Sequence, residues 1–236
     1  MNRVYLDYNA SAPLREEARE AMVHAMALAG NPSSVHAEGR QARAIVETAR
    51  QQVAAALGAQ GADVIFTSGA TEAAGLALTG RGIRCADIEH EAVSSWCQSD
   101  LSCGLDGGVA CQAPGATALQ LANSETGVLQ QLPDGLALCD MTQAFGKLPV
   151  AFHWSGATMA LVSAHKIGGP KGVGALIVKR GTEVAAQIKG GGQEMGRRSG
   201  TENVIGIAGF GAAAEAAQRD LADGVWEQVE KLRNIL

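Results

Sequence analysis

Two rhythms of apolar and polar positions run along the chain. Short apolar runs recur at Asp63-Val64-Ile65-Phe66-Thr67, Ile83 to Ile88, Leu119 to Ala122, Leu136 to Cys139, Met159 to Val162 and Ala175 to Val178. Small or polar residues interrupt the chain between them, so they read as buried strands. Between the strands the period lengthens. Pro13 opens a helical segment, Leu14 to Ala29, with Glu16, Glu17 and Glu20 in its early turns, where acidic groups complement the helix dipole. Ala42, Ile45, Val46, Ala49, Val53, Ala56 and Leu57 keep close to a 3.6 period, and Gly58 stands where a helix-ending residue belongs. Further helices are predicted in the alanine-rich run that follows Ser68-Gly69-Ala70-Thr71-Glu72 and ends at Leu78, and from about Asn203 to Ala217. A last amphipathic stretch has Val225, Trp226, Val229, Leu232 and Ile235 on one face. Residues 99–116 have no period and read as a shortened loop, and Gly190 to Thr201 reads as a flexible one.

Composition narrows the picture. With 236 residues and 47% apolar content, the chain is long enough for a sizeable core. A 4% aromatic share with 30 glycines suits close helix-on-sheet packing in an α/β protein. The net charge of −5 is scattered, with no basic stripe, which argues against nucleic acid as a partner. The N-terminus lacks a signal-peptide core, and the most apolar stretch, Val204 to Ala214, is too short and glycine-rich for a bilayer. The five cysteines, Cys85, Cys97, Cys103, Cys111 and Cys139, lack metal-site spacing. No membrane partner, no metal and a cytoplasmic location are therefore expected.

The candidate chemistry centres on Ser163-Ala164-His165-Lys166 and the glycine-rich Ile167 to Gly174. A lysine held at a turn between buried strands can lose its proton by desolvation and act as a nucleophilic amine. A Schiff base with pyridoxal phosphate (PLP) is the chemistry this invites. A solvated turn lysine is the competing reading. Ser68-Gly69-Ala70-Thr71 joins a strand to a helix start, an arrangement that offers free N–H groups to a phosphate; Thr71 adds a hydroxyl or caps the helix. His90 falls at a strand-to-helix junction. Asp140 ends a buried strand, where it needs a cationic partner such as a protonated pyridine nitrogen, or serves as an N-cap. Asn31 reads locally as a turn former, with a ligand contact as the competing reading. Val204 to Ala214 contains G-x-G-x-x-A, but without a following strand; this makes helix packing a better account than a dinucleotide site.

Together these stretches resemble the NifS/IscS-type cysteine desulfurases of the class V aminotransferase group. The resemblance rests on Leu6-Asp7-Tyr8-Asn9-Ala10, Gly30-Asn31-Pro32-Ser33-Ser34, Phe66 to Glu72, Glu89-His90 and Asn123-Ser124-Glu125-Thr126-Gly127. It rests equally on Asp140 with Gln143, Ser163 to Lys166, and Gly191-Gly192-Gln193-Glu194 through Thr201. It implies a fold type I PLP-dependent transferase large domain, with a mostly parallel sheet flanked by helices. Residues 14–220 would form that domain, 1–13 an N-terminal segment of the small domain, and 221–236 the start of a C-terminal one.

By the same resemblance, Lys166 is the lysine of the internal aldimine and Asp140 the partner of the pyridinium nitrogen. Gln143 lies near the phenolic oxygen, and His90 stacks on the ring and moves protons. Ala70, Thr71, Ser163 and His165 form the phosphate site, and Thr201 reaches the phosphate of the other subunit in a homodimer. Asn31 falls on the substrate side. The implied substrate is L-cysteine, converted to L-alanine with sulfur passed to an enzyme cysteine and on to an acceptor or scaffold protein. A selenocysteine lyase and a non-catalytic PLP-binding scaffold are the alternatives.

Three departures qualify the match. Ser124 stands where the family has an asparagine, and Ala164 where it has glycine. The family's nucleophilic cysteine and carboxylate-binding arginine, which lie in a C-terminal domain, have no counterpart here, so this chain by itself is expected to be inactive or impaired.

Overall fold

The computed structural model describes residues 3–235; Met1, Asn2 and Leu236, at the ends of the two expected small-domain segments, lie outside it. Among the described residues there are seven strands: β1 (Asp63–Thr67), β2 (Arg84–Ala86), β3 (Gln98–Leu101), β4 (Ala118–Gln120), β5 (Leu138–Asp140), β6 (Met159–Ser163) and β7 (Gly174–Val178). Five form a sheet in the order β1-β7-β6-β5-β4, and β2 pairs with β3. A parallel bridge, Arg84 to Thr117, joins β2 to β4 and makes one continuous order β1-β7-β6-β5-β4-β2-β3. β2–β3, β4–β5 and β5–β6 are parallel, and only β7 runs antiparallel to its neighbours β6 and β1. The sheet is mostly parallel, as expected.

The strands of the five-stranded sheet are largely apolar because both faces are covered, whereas the edge strand β3 is polar and mostly exposed. Val64, Phe66, Ala160, Val162, Ala175 and Ile177 point into one core. Their neighbours Ile65, Met159, Leu161, Leu176 and Val178 point into the other. The first core is closed by α1 (Glu16–Met26), α2 (Ala37–Ala56) and α5 (Val204–Ala222), the second by α3 (Ala70–Leu78). Phe210 of α5 meets Phe66 and Phe145 edge-on, with centroids 6.3 and 6.4 Å apart. Such pairs contribute about 0.5–1.5 kcal/mol beyond burial.

The glycines of the Val204 to Ala214 stretch pack a helix, as expected. A Cβ on Gly211 would lie 2.6 Å from Ala49 Cα, and one on Gly209 2.7 Å from Met22 Cγ. α5 starts at Val204 because Asn203 Oδ1 accepts from Gly206 N at 3.0 Å. It runs to Ala222, past the predicted end at Ala217.

α6 (Val225–Arg233) follows after Gly224. Its apolar stripe is less open than the sequence pattern implies: Trp226 donates Nε1–H to Gly146 O at 2.9 Å and is half-buried, while Val225, Val229 and Leu232 are exposed.

Three connections differ from a regular parallel fold. Residues 102–117, 121–137 and 141–158 join β3 to β4, β4 to β5 and β5 to β6 with no α-helix, where parallel crossovers usually carry one. The first two loops brace each other instead. Gln130 accepts from Val109 N at 3.0 Å and donates to Gly107 O at 2.7 Å.

Candidate active site

The parallel strands β4, β5 and β6 end on one side of the sheet, where α/β proteins bind ligands. Their last residues, Gln120, Asp140 and Ser163, line a cavity of about 470 Å³. Nine of the residues singled out from sequence line it as well. From α3 come Ala70 and Thr71, from the β5 turn Asp140 and Gln143, and from the end of β6 Ser163, His165 and Lys166; His90 and Ser124 complete the set. Asn31 is not among them, since its Oδ1 accepts from Ser33 N at 2.9 Å in a local turn. Thr201 is exposed and lines a separate hollow beside β1.

Lys166 sits on a 3₁₀ turn, Ala164–Lys166. Its Nζ donates to Asn9 O at 2.7 Å and Ala10 O at 3.1 Å. Burial lowers its pKa, and Asp140, Asp7 and Glu125 offset this only in part. The N-terminal segment is stitched to the same turn. Ala12 N donates to His165 O at 2.9 Å, and Arg15 Nε to Ile167 O at 2.7 Å.

Asp140 Oδ1 accepts from Thr142 N at 2.8 Å, forming a turn rather than capping a helix. Burial raises its pKa, against the hydrogen bonds from Thr142 and the charges of His90 and Lys166. It makes no ion pair within 4.0 Å among the described residues.

His90 caps α4 (Glu91–Ser94), its Nδ1 accepting from Ala92 N at 3.0 Å. A neutral His90 therefore carries its proton on Nε2. Burial lowers the pKa of His165, helped by Lys166, Lys171 and Lys147.

Helix α3 begins at Ala70 with no side-chain cap, so the Thr71 hydroxyl is not spent on capping. Gly174 must be glycine at this spot: a Cβ there would come within 2.7 Å of Gly69 Cα. Thr67 Oγ1 donates to Gly69 O at 2.9 Å and steadies the turn. Ser124 turns its hydroxyl to Glu125 Oε1, 3.1 Å away, and its carbonyl accepts from Asn9 Nδ2 at 2.7 Å. None of the five cysteines lines the cavity.

The sequence reading missed Glu89, which is 7% exposed; its Oε1 accepts from Gln120 N at 2.7 Å and its Oε2 has no partner. It also missed Gln120 itself and the carbonyl of Asn9. A backbone carbonyl leaves no mark in a sequence. A carboxyl next to a recognised histidine carries no separate signal.

The loop 190–203 is not free, contrary to the flexible loop expected. Glu194 is buried and accepts from Arg50 Nη1 at 2.8 Å, Arg50 Nη2 at 3.0 Å and Phe66 N at 2.9 Å. Arg197 pairs with Asp63 and Arg198 with Glu72, both at 2.8 Å. Glu194 and Met195 hold positive φ, 46° and 59°, to make these contacts.

Fold and site together define an α/β protein with a lysine, a buried carboxylate and an open helix N-terminus around one cavity. The aminotransferase class-V family model matches residues 4–104 and 113–236, and the chain belongs to that family. It is 39% identical over 266 residues to a cysteine desulfurase of Frankia sp. (strain EuIK1), covering 93% of this chain. It spans about two thirds of the length of such curated relatives, 64% of the Frankia protein's. Among solved structures, a NifS-like protein from Rickettsia africae superposes with a TM-score of 0.88 at 30% identity, covering 100% of this chain and 76% of its own. A structure titled SspA in complex with cysteine gives 0.82 at 28% identity, covering 96% and 78%. The gap in the family match, residues 105–112, falls in the helix-free connection before β4.

Proposed function

We propose that this chain forms the PLP-binding part of a cysteine desulfurase, which converts L-cysteine and a protein thiol to L-alanine and a persulfide. The observation that carries the reading is Lys166 and Asp140, at the ends of neighbouring strands, opening on one cavity with the uncapped start of α3. The donor set fits the cofactor. Backbone N–H groups of Ala70 and Thr71 with Ser163 and His165 suit a phosphate, and Asp140 lacks the cation a pyridinium nitrogen would provide. When bound, PLP supplies an electron sink for bonds broken at the substrate's α-carbon.

The chain's own groups do the rest. Lys166, with its lowered pKa, holds the cofactor and moves a proton at its Nζ. His90, with Nδ1 engaged by Ala92 N, leaves its Nε2 for proton transfer at the cavity. Asp140 keeps its charge for the ring nitrogen. Because no cysteine lines the cavity, the sulfur-accepting thiol comes from outside the described residues. Thr201, exposed on the anchored loop, reaches a phosphate in the second subunit of a homodimer. Asn31 is a weaker substrate contact, since its Oδ1 is engaged in its own turn. Residues 14–220 act as the cofactor domain, with 1–13 and 221–236 belonging to a smaller one. An acceptor or scaffold protein takes the sulfur onward in the cytoplasm.

The test is the visible spectrum of PLP-supplemented protein with L-cysteine added, because this chain by itself is expected to be inactive or impaired in alanine release. Wild-type protein should show a protein-bound cofactor band that L-cysteine shifts, and Lys166→Ala should lack that band. No band in the wild type, or the same band in Lys166→Ala, would contradict the assignment.

A further inference from the structure

Lys147 stands just behind the cavity and does not line it. It lies four residues beyond Gln143 in the turn after β5, and its Nζ donates to Gln143 Oε1 at 2.6 Å. Gln143 in turn donates Nε2–H to Asn9 O at 3.1 Å, the carbonyl that also receives Lys166 Nζ at 2.7 Å. Two cations thus approach one small network, yet Lys147 has no carboxylate within 4.0 Å among the described residues. Its place is fixed by the fold. Gly146, at φ +70°, packs where a Cβ would lie 2.8 Å from Ala217 Cβ and 2.9 Å from Ile167 Cγ2, and its carbonyl accepts from Trp226.

An ammonium offers donors only, and a carboxamide has one accepting and one donating end. A donor at Oε1 therefore decides which end of Gln143 is turned toward the cavity. We infer that Lys147 is a positioning residue that locks the Gln143 amide with its N–H groups facing Asn9 and the cavity, ready to donate to an acceptor oxygen on the bound ligand. Under the PLP reading, on which this rests, that acceptor is the phenolic oxygen of the cofactor. The charged groups facing Lys147 are Lys166 and His165 on the turn after β6. Burial and the charge of Lys166 bring its pKa down to about 8, so its hold on Gln143 weakens within an accessible pH range.

The experiment has two arms, the first independent of the cofactor. In cofactor-free protein labelled with ¹⁵N-glutamine, the Gln143 side-chain N–H pair, assigned with Gln143→Asn, is followed against pH. A midpoint near 8 is expected in the wild type. It should be lost in Lys147→Met, which keeps the aliphatic stem. In the second arm, the PLP-loaded protein is titrated by its visible absorbance. Removing a nearby cation favours the protonated chromophore, so Lys147→Met should raise its midpoint by about one unit. Lys147→Arg should restore most of it. A Gln143 titration near 8 that persists in Lys147→Met, or a chromophore midpoint indifferent to it, would overturn the assignment. Protein that stays colourless while the first arm succeeds would instead strike the PLP reading.

Discussion

Asp140 lines the cavity and Glu89 is buried against the end of β4 outside the lining, and burial raises the pKa of both. Glu89 is displaced to about 8, its burial only partly offset by the hydrogen bond from Gln120 and reinforced by the charge of Asp140. A carboxyl whose folded pKa lies above its unfolded value binds a proton in the native state that the unfolded chain has released. Stability is then greatest below about 4.5 and falls as pH rises toward 8, by on the order of 1.4 kcal/mol per unit. Glu89→Gln should flatten that slope in cofactor-free protein, measured as urea midpoints from pH 5 to 8. An unchanged slope would show that Glu89 is ionised in the fold. The sign is the same for Asp140. Asp140→Asn should raise the melting temperature of cofactor-free protein at neutral pH while weakening PLP binding. Opposed changes of this kind separate a functional carboxylate from a structural one. Sequence marked Asp140 because a strand-ending aspartate is conspicuous. It missed Glu89, whose burial depends on the fold bringing Gln120 alongside.

The loop from Gly190 to Thr201 shows where sequence and structure part. Its glycines and two arginines read as mobile, because composition shows charges but not their partners. Those partners, Asp63, Glu72 and Arg50, are more than a hundred residues away in the chain. Burial works against the charge of Arg50, yet Glu194 and Glu47 outweigh it and leave its pKa raised. Removing one member of a buried pair strands the other, at a cost of about 3–5 kcal/mol. Glu194→Ala should therefore destabilise the protein by about that much. Arg197→Ala, at a more exposed pair, should lose about 1 kcal/mol or less. Equal effects of the two in equilibrium denaturation would contradict the ranking. The strands and α5 were more legible. Buried strands are apolar on both faces, and the α5 glycines mark its contacts with α1 and α2. Gly211→Ala should destabilise by about 1–3 kcal/mol, since its Cβ would press on the backbone of Ala49.

Across the molecule, the sheet is mostly parallel as expected, two cores cover its faces, and nine expected residues line one cavity. The departures lie in the connections. The shortened stretch before β4 was legible as irregular sequence, but its bracing by Gln130 was not, because an isolated glutamine carries no pattern. Among the described residues no helix is long and apolar enough to cross a membrane. The proposed homodimer predicts twice the chain mass in sedimentation equilibrium, with PLP affinity reduced in Thr201→Ala; a PLP-binding monomer indifferent to that change would contradict it. The proposed function depends on Lys166 as the residue that would hold the cofactor. The most direct test is borohydride reduction of PLP-supplemented protein followed by peptide mass analysis. The account predicts a visible band that reduction abolishes and the cofactor's mass on the peptide containing Lys166. A protein that stays colourless and gains no mass, or gains it at Lys147 or Lys171 instead, would contradict it.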